Sequence, residues 1–156
     1  RKLSAISHEF EGKAVLLVDD SIVRGTTSAQ IVEMARDVGA RKVYFASAAP
    51  PVRHPNVYGI DMPAVDEFIA NGRSIDEINA IIGSDRLFYQ TLEDLIDVTS
   101  IGPAPPKRFD ASCFNGEYVT KDIDASYLET LRARRNDGAK STRASTEVVG
   151  LHNGEA

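Results

Sequence analysis

Ala14-Val15-Leu16-Leu17-Val18 is an uninterrupted apolar run, rich in branched side chains, that stops at two aspartates, Asp19 and Asp20. Such a run reads as a strand buried on both faces, an environment found in a parallel sheet covered by helices. A polar loop follows, and then Ile31, Met34, Ala35 and Val38 recur at helical spacing, with Gly39 positioned to end the helix. Val43-Tyr44-Phe45-Ala46-Ser47 reads as the next strand. Strand, loop, helix and strand within about thirty-five residues make a βαβ unit, whose strands are parallel. The expected fold class is therefore α/β, a parallel sheet flanked by helices.

The rest of the chain extends that pattern. Residues 50–63 carry four prolines and read as loop. Val65, Phe68 and Ile69 suggest a short helix ending near Gly72. Ser74-Ile75-Asp76-Glu77 has the form of a capping box, opening a helix with Ile75, Ile78 and Ile82 on one face and Gly83 at its close. Leu87-Phe88-Tyr89 reads as a short strand, and Thr91 as the cap of a helix bearing Leu92, Leu95 and Ile96. Gly102-Pro103-Ala104-Pro105-Pro106 is the clearest linker. Beyond it a hairpin turning at Asn115-Gly116 is expected, then a helix from about Asp124 to Arg135 and a frayed polar tail from Gly138.

With 156 residues, 42% of them apolar, the chain is the size of one domain with a real core. The formal net charge of -5 gives no global attraction to nucleic acid or to an anionic membrane. No apolar run reaches the ~18 residues a membrane span needs, so a soluble, cytoplasmic protein is expected. Cys113 is the only cysteine, which rules out an intramolecular disulfide. His8, His54 and His152 lack metal-ligand spacing. Arg132-Ala133-Arg134-Arg135 reads as the basic end of a helix, where the dipole favours such charge.

In an acidic protein, any anion site must be built locally, and one segment has the means. Asp19-Asp20-Ser21-Ile22-Val23-Arg24-Gly25-Thr26-Thr27-Ser28 lies where the carboxyl end of a parallel strand meets the amino end of a helix. Ligands of open α/β sheets bind at that edge, where first-turn N–H groups have no helical partner. Gly25 allows close backbone approach, and Ser21, Thr26, Thr27 and Ser28 add hydroxyl donors. Each hydrogen bond to a charged group contributes roughly 1.5–3 kcal/mol against about 0.3–1 from the helix dipole, so converging donors dominate phosphate affinity. Asp19 and Asp20 would repel a phosphate, but they suit sugar hydroxyls or Mg²⁺. A ligand with a phosphate at one end and vicinal hydroxyls beside it, such as a 5-phosphoribosyl group, fits both demands.

The run from Val15 to Ser28 resembles the phosphoribosyl-pyrophosphate signature of type I phosphoribosyltransferases, and its Ser21-Ile22-Val23-Arg24-Gly25-Thr26-Thr27 form is similar to the amidophosphoribosyltransferase family. Ala46-Ser47-Ala48-Ala49-Pro50, residues 55–63 and Phe114-Asn115-Gly116-Glu117-Tyr118-Val119-Thr120 look like that family too, so the resemblance covers about residues 1–138. It implies a partial type I phosphoribosyltransferase fold: residues 1–102 as the carboxy-terminal part of that domain, 103–138 as a hairpin and helix packed on it, and 139–156 as a flexible tail. It also implies synthesis of 5-phosphoribosylamine from phosphoribosyl pyrophosphate and glutamine-derived ammonia, the first step of purine synthesis. Asp19 and Asp20 match the acidic pair that meets the ribose hydroxyls and Mg²⁺, and residues from Ser21 to Thr27 match the 5′-phosphate loop. Purine nucleotides are the implied feedback inhibitors, and a homo-oligomer the implied assembly.

Three departures qualify the resemblance. The family's amino-terminal glutaminase domain has no counterpart in these residues. Arg1-Lys2-Leu3, which lacks an initiating methionine, reads as the end of a mobile loop cut from a larger protein, so the fragment is expected to be inactive alone. Some members hold an iron–sulfur cluster with four cysteines; here Asn56 stands where those have cysteine, and one thiol cannot hold such a cluster. Two other functions fit the same loop: a nucleotide-sensing regulator without catalysis, and a phosphoribosyltransferase acting on a nucleobase. The acidic charge disfavours the first as a DNA-binding repressor, and the long segment after Pro63 disfavours the second.

Overall fold

A computed structural model describes residues 7–104, 106 and 108–134. Three parallel strands lie in the order β1 (Ala14–Asp19), β2 (Lys42–Ser47) and β3 (Arg86–Tyr89). β1 pairs with β2 from Ala14 opposite Lys42 to Asp19 opposite Ser47, and β2 with β3 from Tyr44 opposite Arg86 to Ser47 opposite Tyr89. The carboxyl ends of all three strands thus share one edge. A one-turn helix α1 (Ser7–Phe10) precedes the sheet, α2 (Thr26–Asp37) connects β1 to β2, and α3 (Ile75–Ile82) leads into β3. The α/β reading is correct.

The helices form where the sequence provides start and stop signals. Ser74 closes the expected capping box: its Oγ accepts from the Glu77 N–H at 3.3 Å, and Glu77 Oε2 accepts from the Ser74 N–H at 2.8 Å. Gly83 ends α3 in the left-handed region. Thr91 caps α4 (Leu92–Thr99) through the Asp94 N–H. Residues 65–69 make only a 3-10 turn, Val65–Glu67, rather than a helix.

One side of the sheet carries the core. Val43 and Phe45 of β2 and Leu87 of β3 pack with Val32 and Ala35 of α2, Ile78 and Ile82 of α3, and Ile22 and Ile69 from the connections. The buried stripe of α2 is Ser28, Val32 and Ala35, whereas Ile31 and Met34 are only half-buried. The expectation that β1 is buried on both faces is corrected: Val15 and Leu17 face the core, while Leu16 is 59% and Val18 68% exposed. α2 and α3 touch each other and lie against the sheet, and among the described residues nothing covers the side of β1 that holds Leu16 and Val18.

Asp85 fastens the frame. It receives Lys42 Nζ at 2.7 Å, the Val43 N–H at 2.8 Å and an Arg36 guanidinium nitrogen at 3.1 Å. The Lys42 ammonium first, then the Val43 amide, lowers its carboxyl pKa to about 2.

Beyond the linker, the described residues form no hairpin. Ser112–Asn115 form a helical turn, α5, and Gly116 ends it at φ 75°. An Asn-Gly pair serves a type I′ turn or a helix terminus because both need positive φ. Long-range bonds favour the second form here, since Cys113 O accepts the N–H groups of both Arg53 and His54 at 3.0 Å. Residues 125–134 form a further helix, α6, and Arg132 makes a two-pronged contact with Asp66 (3.2 and 2.7 Å). The opening Arg1-Lys2-Leu3, Arg135 and the polar tail lie outside the described residues.

Candidate functional site

Asp19 is the last residue of β1, and its N-terminal neighbours hold it at the carboxyl edge of the sheet. From there the chain turns into α2 around a cleft of about 340 Å³, lined by Asp19, residues 21–28 and Pro63. Ser21, Ile22, Val23, Arg24, Gly25, Thr26 and Thr27, all singled out from sequence, therefore come together with Asp19 on one surface. Asp20 is exposed and does not line the cleft; its Oδ1 accepts the Ser21 hydroxyl at 2.8 Å. Asp19 Oδ1 accepts the Asp20 N–H at 3.0 Å, which fixes the turn between the two acids.

The loop's shape follows from a few anchors. Ile22 is 1% exposed and plugs into the core, so the residues on either side are forced outward. Gly25 is the N-cap of α2 at φ 77°, ψ -9°, and it has no side chain with which to cap the helix. The first helical bond is Ala29 N–H to Gly25 O at 2.9 Å. The N–H groups of Thr26, Thr27 and Ser28 precede it, and helix geometry points them out of the helix start, toward the cleft. Thr26 and Thr27 are exposed, so their hydroxyls are available at the same end.

Three features were beyond local sequence reading. A Cβ at Gly25 would run into Ile69 Cδ1, the end of a buried side chain that would have to turn away, so packing as well as φ constrains this position. Ile69 is held there by its own N–H, which donates to Val23 O at 2.8 Å. Arg24, for its part, places Nε 2.9 Å from Glu67 Oε2. Both partners come from a turn about forty residues downstream, and no periodicity or motif reports such a pairing. Pro63, read from sequence only as part of a loop, also lines the cleft.

Chemically, this surface offers amides and hydroxyls for an anion, with one carboxylate at the rim for hydroxyls or a cation. No group of three or more His, Cys, Asp or Glu side chains is arranged to hold a metal among the described residues. Asp19 alone suits only a hard cation that takes most of its shell from water and substrate oxygens. No helix among the described residues is long and apolar enough to cross a membrane.

No protein-family model matches the chain. The chain is 58% identical over 151 residues, 97% of its length, to the amidophosphoribosyltransferase of Escherichia coli, and 46% identical over 155 residues to that of Saccharomyces cerevisiae. It spans about 30% of the length of each of these relatives. Among solved structures it is similar to a glutamine phosphoribosylpyrophosphate amidotransferase from Bacillus subtilis complexed with ADP and GMP. That match has a TM-score of 0.64 at 38% identity, covering 80% of this chain and 28% of the other.

Proposed function

We propose that this chain is the phosphoribosyl-binding part of an amidophosphoribosyltransferase, a pentosyltransferase that makes 5-phosphoribosylamine in the first step of purine synthesis. The observation that carries the proposal is the gathering of Asp19 and residues 21–27 around one cleft at the carboxyl edge of a parallel sheet. The similarity to enzymes of that name supports it over nearly the whole chain.

In this reading the amides and hydroxyls from Ser21 to Thr27 hold the 5-phosphate. Asp19, the carboxylate at the rim, receives the ribose hydroxyls and keeps the sugar oriented as the bond from C1 to pyrophosphate breaks, and Asp20 beside it adds negative charge from outside the cleft. Their negative charge favours the cation-like ribosyl carbon, and preorganised groups of this kind lower a barrier without reorganising. Mg²⁺, when bound with the substrate, offsets charge on the departing pyrophosphate. Asp19 would hold it at the ribose end. No side chain of this loop has to act as a covalent nucleophile.

The ammonia is proposed to come from glutamine hydrolysed by a glutaminase domain elsewhere in the longer protein, so residues 1–156 alone would not complete the reaction. The proposal includes no iron–sulfur cluster, a cytoplasmic location, a homo-oligomer and inhibition by purine nucleotides. The Bacillus relative's complex with ADP and GMP supports the nucleotide part. Titration calorimetry of phosphoribosyl pyrophosphate with Mg²⁺ into the intact longer protein tests the site. Asp19→Asn with Asp20→Asn should weaken binding by about tenfold or more. Unchanged affinity in that double variant would end the proposal.

A further inference from the structure

Asn56 has no place in the chemistry above, yet it is 2% exposed and densely bonded. Its Oδ1 accepts the N–H of Tyr58 at 2.8 Å and the N–H of Ile60 at 3.1 Å, while its own backbone N–H lies 3.2 Å from Met62 Sδ. These bonds fold residues 56–62 onto themselves. The next residue, Pro63, is a wall of the cleft, and the chain then runs through Glu67, which pairs with Arg24, to Ile69, which packs on Gly25. One buried amide therefore sets the start of a strap whose far end touches the phosphate loop.

The strap is also held from behind. Tyr118 donates its hydroxyl to Pro55 O at 2.9 Å, and Tyr58 Oη lies 3.0 Å from Thr120 Oγ1. The Tyr58 and Tyr118 rings meet edge-on with centroids 6.3 Å apart, and the His54 ring stacks close over Gly116, where a Cβ would lie 3.0 Å from His54 Cε1. Cys113 O accepts from Arg53 and His54, and Cys113 Sγ lies 3.9 Å from Met62 Sδ. All these contacts fall on residues 53–62, and none falls on the cleft.

We propose that Asn56 is a positioning residue for the phosphoribosyl cleft: it folds the 56–62 loop that presents Pro63 to the phosphate turn, and residues 113–120 brace that loop from its far side. This rests on the phosphoribosyl reading of the cleft. Removing the Asn56 side chain leaves the Tyr58 and Ile60 amides without their acceptor, so the loop relaxes and the cleft wall shifts. Ground-state binding of the phosphoribosyl donor then suffers while the reacting groups stay intact.

The experiment uses the intact longer protein, with KM for phosphoribosyl pyrophosphate and kcat measured in parallel. Asn56→Ala should raise the donor KM about tenfold with kcat within about twofold. Asn56→Asp keeps acceptor oxygens for the Tyr58 and Ile60 N–H groups but buries a charge and loses the amide's donor, so it should recover only part of the loss. Tyr118→Phe, which removes the hydroxyl that bonds to Pro55 O, should raise KM about threefold and decides the matter if Asn56→Ala does not fold. A donor KM unchanged in the folded variants, or a fall in kcat alone that tracks a smaller folded fraction, overturns the proposal. Asp19→Asn with Asp20→Asn separates the two readings. If that variant binds donor normally, the site reading falls; if it binds weakly while Asn56→Ala and Tyr118→Phe do not, only the positioning role falls.

Discussion

Replacing Gly25 by alanine puts two independent penalties on one atom. At φ 77° a β-carbon costs roughly 1–2 kcal/mol in backbone strain, before any neighbour is considered. That carbon would then collide with Ile69 Cδ1 and sit 3.3 Å from Ile69 Cγ1. Cδ1 is the far end of the side chain and can turn about χ2, but Ile69 is 3% exposed and must turn within a packed core; overpacking of this kind costs typically about 1–3 kcal/mol. Gly25→Ala should therefore destabilise by about 2–5 kcal/mol, a large share of the roughly 5–15 kcal/mol that holds a domain folded. Denaturant titration gives the number, and a double-mutant cycle separates its parts. Ile69→Val removes Cδ1 and should cost about 0.5–1.5 kcal/mol in the wild-type background. In the Gly25→Ala background it should cost nothing or stabilise, a coupling of about 1–2 kcal/mol that leaves the backbone strain behind. Strictly additive effects, or a Gly25→Ala cost below about 0.5 kcal/mol, would refute the packing argument.

Other expectations follow from the same contacts. The Asp85 carboxyl has a folded-state pKa of about 2 against an ordinary 3.8, so its stabilisation is complete above pH 3.8 and is lost as pH falls through about 2. Acid titrations should show that loss in the wild type and lack it in Asp85→Asn; identical acid profiles would contradict the assignment. Burial, followed by the nearby Asp110 charge, pushes the Cys113 thiol above its usual range, so it is protonated at neutral pH. Iodoacetamide should modify it much more slowly in the folded protein than in urea, and equal rates would show an accessible thiolate. The uncovered side of β1 predicts that the isolated chain binds an apolar dye, and that Leu16→Thr with Val18→Thr reduces the signal. No change in dye binding would mean that this side is covered.

What the sequence disclosed was local. The βαβ unit, the Ser74 box and the Thr91 cap depend on residues within one or two turns of each other, and each forms where those residues predict. The cleft was legible for the same reason, since Asp19 and residues 21–28 are contiguous. Non-local pairing was not. An apolar run cannot say whether its second face is covered, so Leu16 and Val18 were misjudged. Asn115-Gly116 satisfies two turn chemistries, and the bonds from Arg53 and His54 to Cys113 O belong with the helical one. Arg24 was read as part of a phosphate loop, but its guanidinium meets Glu67, which nothing in its own neighbourhood announces.

The central claim is that the turn from Ser21 to Thr27 grips the phosphate of a phosphoribosyl group. Ribose 5-phosphate carries that phosphate and the sugar without pyrophosphate or a need for metal, so it isolates the interaction. Backbone amide chemical shifts recorded during its titration into the protein should move most at residues 21–27, with Asp19→Asn/Asp20→Asn weakening the response. Shifts confined to other residues, or none at saturating ligand, would contradict the account.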